Sequence, residues 1–176
     1  LPPQWEGRQL RYSGMTAIGN NLALSSDNGV ITLVDPNTGQ EVQQVNLWSA
    51  GWNQDQLPSD INGCRTPPTL GGGMVFDPDQ SVLYVVFENR DLKRDPFFLI
   101  GAARSLLAIP YVDGVLAGDK STYRLIEVGR GAVGIALLGG SEKVVLRFDE
   151  DTGQGKPVFL VHLGADNSVV REIALT

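Results

Sequence analysis

Four segments of the chain repeat one local grammar: an apolar run, a short polar turn, then a second apolar run. The turns are Gly19-Asn20-Asn21, Asp77-Pro78-Asp79-Gln80, Gly139-Gly140-Ser141-Glu142 and Gly164-Ala165-Asp166-Asn167. The runs flanking them are Met15–Ile18 and Leu22–Leu24, Met74–Phe76 and Val82–Phe87, Val133–Leu138 and Lys143–Phe148, and Val158–Leu163 and Val169–Leu175. Turns of about three to five residues that carry Gly, Asn or Asp between apolar runs are hairpin signals. The reason is steric, because Gly and Asn tolerate the positive φ that a tight reversal needs. Further strands are expected at Val30–Val34, Val42–Leu47, Phe97–Ile100, Leu106–Ile109 and Tyr123–Val128. Only Leu99–Ile109 could carry a helical turn or two. The chain reads as all-β, built from antiparallel hairpins.

Two longer spacings suggest repetition. The phrase Val34-Asp35-Pro36-Asn37-Thr38-Gly39-Gln40 returns as Phe148-Asp149-Glu150-Asp151-Thr152-Gly153-Gln154, 114 residues later, each time after an apolar, β-branched run. Gly14, Gly73 and Gly134 each precede the first strand of a hairpin, at intervals of 59 and 61 residues. Together they suggest about three units of roughly 60 residues, with the turn phrase marking two units' separation or three compact blades. Loops at 48–72 and 110–122 would account for the excess over the roughly 40 to 50 residues of a common propeller blade.

Composition narrows the function classes. At 176 residues one domain is the default, and 42% apolar content is enough for a packed core. The net charge is −6, without a lysine- or arginine-rich run. A phosphate backbone has nothing here to bind it, so no nucleic-acid role is expected. No apolar stretch reaches the roughly 18 to 20 residues of a membrane span. The longest, Phe97–Val112, is broken by Gly101, Arg104, Ser105 and Pro110. Cys64 is the only cysteine, so neither an intrachain disulfide, a cysteine-rich zinc site nor a two-cysteine haem attachment can form. The start Leu1-Pro2-Pro3-Gln4 reads as a processed or trimmed terminus. Export followed by cleavage would produce it, giving an expected extracytoplasmic location, periplasmic or secreted.

These residues also carry a resemblance. Leu24 to Val42, with its Asp35-Pro36-Asn37-Thr38-Gly39 turn, resembles one blade of quinoprotein-like and surface-layer-type β-propellers. Leu146 to Gln154 is similar to the same element, and Met74 to Val85 to another blade hairpin. The resemblance covers about a quarter of the chain and implies β-propeller-like blades, with a β-sandwich or barrel as the other arrangement of such hairpins. Quinoprotein repeats place tryptophan four residues after the turn glycine, where this chain has Gln43 and Pro157, so a bound quinone is not implied. Closed propellers typically need about four to eight blades. Residues 1–176 are therefore expected to form a single propeller-like domain or part of a larger propeller.

Several residues invite chemical readings. Asp77-x-Asp79-x-Ser81 and Asp149-x-Asp151 alternate oxygen ligands as calcium loops do, but Asp also forms turns by bonding its own backbone, and the turn reading is preferred. His162, the only histidine, is expected to be structural. A Ser/His/Asp relay would need Ser25, Ser26 or Ser168, and no Gly-x-Ser-x-Gly elbow supports one. Gly71-Gly72-Gly73 is expected to be a flexible entry to a strand, since it lacks the lysine and helix of a phosphate loop. The loop from Trp48 to Pro68 holds two of the three tryptophans. Long loops often bind, and tryptophan with arginine is a hot-spot composition.

The leading expectation is a non-catalytic binding or assembly scaffold, with Trp48, Trp52 and Arg65 as partner-binding residues and no catalytic, cofactor or metal residue. Its partner would be a protein or a larger assembly, including an oligomer or blades from another chain. The rival is a calcium-dependent propeller hydrolase, lactonase- or phytase-like, with Asp77, Asp79, Glu88 and Asp149 as ligands. A third reading is a structural subunit of a larger complex.

Overall fold

The computed structural model describes residues 12–26, 29–47, 69–90, 102–129, 132–148 and 158–175. These residues form thirteen strands and, apart from two short 3-10 turns, no helix. The first sheet is a meander of β1 (Tyr12–Ile18), β2 (Asn21–Ser26), β3 (Val30–Val34) and β4 (Glu41–Asn46). The second holds β5 (Thr69–Asp77), β6 (Val82–Arg90) and β7 (Ala102–Val112), and along β7 pair both β8 (Val115–Leu116) and β9 (Arg124–Glu127). The third is a meander of β10 (Ala132–Leu137), β11 (Lys143–Phe148), β12 (Val158–Leu163) and β13 (Val169–Leu175). Every pairing is antiparallel. The fold is all-β and propeller-like.

The sheets stack in chain order, with β5 packed between β1 and β10. Period-two alternation decides what each face meets. One face of sheet 2 (Met74, Leu83, Val85, Leu107, Ile109) packs on Ile18, Ala23, Ile31, Leu33 and Val45 of sheet 1. The opposite face (Val86, Leu106) packs on Ala132, Val145, Val161 and Leu163 of sheet 3. Sheet 2 is therefore apolar on both faces, and among the described residues sheets 1 and 3 each turn one face to a neighbouring sheet; Val30 and Thr32, on the other face of sheet 1, are buried as well.

The three spaced glycines lie inside the innermost strands, where a lead-in to each strand was expected. Each falls at a break in register: between Tyr12 and Gly14, between Leu70 and Met74, and between Ala132 and Gly134. Close backbone approach explains the residue type. A Cβ on Gly73 would stand 2.8 Å from Gly134 Cα and 2.8 Å from Val86 Cγ2. The repeat is real, and these bulge glycines mark it.

The turn phrase does not mark it. Its first copy joins β3 to β4, the third and fourth strands of a meander. The second copy, at 149–154, joins β11 to β12, the second and third. The copies sit at non-equivalent hairpins, so their separation carries no repeat length. In the first copy Asp35 Oδ1 accepts the Asn37 N–H at 2.8 Å and Gly39, at φ +70°, donates to the Asp35 carbonyl at 2.8 Å. That is turn chemistry local to about five residues, and it serves any hairpin.

Three further expectations are corrected. The helical turn at 99–109 gives way to strand from Ala102 onward, held to β6 by a register running from Val82↔Pro110 to Arg90↔Ala102. The loop at 110–122 contains β8, and Thr69 to Gly72 belong to β5. Gly71-Gly72-Gly73 is thus a bulged strand segment. Phe97–Ile100 lies outside the described residues.

Candidate functional site

One end of the stack gathers the turns that join first to second and third to fourth strands. Side chains from these turns lock neighbouring sheets together, and they form the chemically richest part of the described structure.

Between sheets 2 and 3 the lock is ionic. Asp77 ends β5 and turns inward. Its Oδ1 accepts the N–H groups of Asp79 at 3.0 Å and Gln80 at 3.2 Å, and the Ser141 hydroxyl at 3.1 Å. Its Oδ2 is buried without a hydrogen-bond partner, 4.0 Å from Lys143 Nζ. Lys143 opens β11, where alternation aims it at sheet 2. Its ammonium donates to the Ser141 carbonyl at 2.7 Å and to the Tyr84 hydroxyl at 3.4 Å, and lies 4.4 Å from the Tyr84 ring centroid. The Asp77 and Lys143 side chains are completely buried. Burial pushes the Lys143 ammonium below its ordinary range, while Asp77 and Asp166 pull it back up. Burial likewise raises the Tyr84 phenol, and Asp77 adds to this, against the Asn167 hydrogen bond and Arg124. Ser141 gives its hydroxyl to Asp77, and Lys143 reaches the serine's carbonyl, so the pair is not arranged as nucleophile and base. It clasps two sheets.

Between sheets 1 and 2 the lock is neutral. Gln43, in β4, donates through Nε2 to the Leu116 carbonyl at 2.9 Å and accepts the Leu116 N–H at 2.8 Å. Gln43 occupies the place where the resembled blades carry tryptophan, and here it pairs with the backbone of β8. Nearby, Tyr123 donates to the Ala117 carbonyl at 2.6 Å, and burial followed by the Asp119 charge pushes its phenol up to about 12.

Beside the ionic clasp opens a cavity of about 540 Å³, lined among others by Gln80, Tyr84, Tyr111, Thr122, Arg124 and Asn167. Gln80 ties its rim together, accepting from Tyr84 at 2.7 Å and donating to the Ala165 carbonyl at 2.7 Å. Asn167 Oδ1 is buried there without a hydrogen-bond partner. The cavity offers hydrogen bonding and one guanidinium.

The expected sites scatter. Trp48, Trp52, Arg65, Cys64 and Asp149 lie outside the described residues. Glu88 falls in β6, opposite Thr69 and Arg104. Asp77 is buried and Asp79 exposed, with the turn amides and Lys143 around Asp77. Among the described residues no group of three or more His, Cys, Asp or Glu side chains could hold a metal ion. His162 sits in β12 with Nε2 2.8 Å from Glu142 Oε2. Ser26 bonds Val30 and Ser168 bonds Asp166, so neither is paired with the histidine.

The end sheets supply a feature that sequence reading missed. Met15, Met74 and Ile135 are equivalent, each directly following its bulge glycine. Met74 is 8% exposed because sheet 1 covers it, and Ile135 packs against the core shared with sheet 2. Among the described residues no sheet covers Met15, which is 65% exposed. At the far side, the back face of sheet 3 carries Val144, Leu146, Phe148, Val158 and Leu160, all half-buried, with Ile173 at 40% and Leu175 at 45%. The equivalence is legible only once the bulges are seen.

No family model and no curated protein matches the sequence. Solved structures do. U3-55K aligns with a TM-score of 0.53 and 10% identity over 96% of this chain and 40% of its own. A puromycin-hydrolyzing peptidase of Mycobacterium tuberculosis aligns at 0.49 and 20% identity, over 97% and 24%. A quinohemoprotein alcohol dehydrogenase of Pseudomonas putida HK5 aligns at 0.43 and 14%, over 95% and 31%. The chain thus spans less than half of each of these three proteins. At 10% identity the likeness to U3-55K is one of fold alone. Among the described residues no helix is long and apolar enough to cross a membrane.

Proposed function

We propose that the chain is a propeller-type binding or assembly module whose work is done by surfaces, with its three sheets acting as one unit. The observation that carries this reading is the contrast between Met15 and Met74. Equivalent residues on equivalent strands differ in exposure, 65% against 8%, because sheet 1 covers Met74 and no described sheet covers Met15. Exposed apolar residues such as Met15, Ile173 and Leu175 on sheet faces are what an interaction surface looks like. The reading extends to Trp48, Trp52 and Arg65 as partner-binding residues on the β4–β5 connection, and to an extracytoplasmic setting. The buried Asp77–Lys143 clasp supports it in a second way, since these two fully buried charges are committed to holding sheets together.

Binding of a dye that fluoresces on apolar surface tests the reading. Strong fluorescence, reduced in Ile173→Asp and Leu175→Asp, is expected of the unassembled chain. A chain that neither binds dye nor associates with anything would overturn it.

A further inference from the structure

We infer that the cavity beside the Asp77–Lys143 clasp is a binding site for a small carboxylic acid with an apolar body, its carboxylate received by Arg124. The site lies apart from the assembly surfaces proposed above and does not depend on them. Its wall is one face of sheet 2. Val86 and Leu106 on that face are buried in the core shared with sheet 3. Alternation brings Tyr84 and Val82 of β6, and Ala108 and Pro110 of β7, to the same face higher up, in the paired rows Tyr84–Ala108–Arg124 and Val82–Pro110. All of these line the cavity. The turns that surround it, at 78–81, 117–123 and 164–168, belong to the described residues.

The lining sets the chemistry of the ligand. Arg124 is the only charged side chain among the described lining residues. It is exposed, and no hydrogen bond or ion pair commits it to another described residue. Its guanidinium therefore keeps its donors for an anion from solution, and a carboxylate matches that fork with two parallel bonds. The neighbouring carboxylates are already engaged. Asp119 and Asp166 stand just before Ser121 and Asn167 of the lining, and hydrogen bonds from Ser121 and Ser168 hold them below their ordinary range. Both stay charged at neutral pH, so they repel a phosphate's second charge more than they do a monoanion. Val82, Ala108 and Pro110 offer carbon beside the guanidinium, which suits an aliphatic or aromatic body. The volume of about 540 Å³ lies in the range of small-molecule sites. Gln80 holds the rim preformed through its bonds to Tyr84 and Ala165.

The test is titration of the whole chain with phenylacetate, read from its amide resonances by NMR. Saturable shifts are expected at Val82, Thr122, Arg124 and Asn167, with a Kd of about 1 mM or below. Phenylacetamide, the neutral isostere, should bind about tenfold more weakly, and benzyl phosphate should bind no better than the acid. Arg124→Gln should lose about tenfold in affinity for phenylacetate, keep its affinity for the amide, and melt like the parent chain, since Arg124 is exposed. Arg124→Lys, which keeps the charge without the fork, should retain part of the acid's advantage. The absence of saturable shifts would overturn the proposal, as would equal binding of acid and amide, tighter binding of the phosphate, or an Arg124→Gln chain that takes the acid like the parent.

Discussion

Lys143 and Asp77 show how much a single residue's partners decide. Removing one member of a buried ion pair strands the other, at about 3–5 kcal/mol, whereas neutralising both is far milder. Lys143→Met should therefore lower stability in urea by about that amount. Lys143→Met with Asp77→Asn should recover most of it, since Asn keeps an acceptor for the turn amides and Ser141. Equal loss in the single and double variants would show that the ammonium does not balance the carboxylate. Tyr123 gives a pH signature. Its folded phenol is raised above the unfolded value of 10.0 to about 12, so the neutral form is favoured by the fold. That stability is complete below pH 10 and is lost as pH rises through 12, amounting to about 3 kcal/mol. Tyr123→Phe should be less stable at pH 8 by about 1 kcal/mol, for the lost bond to Ala117, and should lack this part of the alkaline decline. None of this was legible in the sequence. A lysine opening a strand reads as solvated, and nothing local announces that Asp77, 66 residues earlier, comes to meet it.

The strands themselves were legible, because alternation and Gly/Asn/Asp turns act within a few residues. Recovering β1, β2, β5, β6 and β10 to β13 needed no tertiary knowledge. What escaped were features set by neighbours. The two-residue β8 exists because Val115 and Leu116 pair with β7, and Leu116 is held by Gln43 from another sheet. Asp-x-x-Thr-Gly misled for the same reason that it recurs, since it solves a local turn and is indifferent to which hairpin uses it. The bulge glycines pointed rightly because close packing between strands imposes them. Gly73→Ala should then cost about 1–3 kcal/mol, as its Cβ meets the backbone of Gly134 and something must shift. Gly134→Ala should leave the chain's own melting unchanged. Equal destabilisation by the two would contradict the asymmetry between covered and open faces.

At the scale of the molecule, the three described sheets make two internal junctions. The inner strands β1, β5 and β10 are equivalent in position and bulge, and among the described residues β5 packs on both of the others. The chain's two methionines report on this, as one stands at the open position and the other at the covered one. Methionine oxidation follows solvent access. The most direct measurement is the rate at which dilute peroxide converts each methionine to its sulfoxide, followed by peptide mass across chain concentration. Met15 should oxidise about tenfold faster than Met74 when the chain is dilute. Equal rates at high dilution would contradict the account.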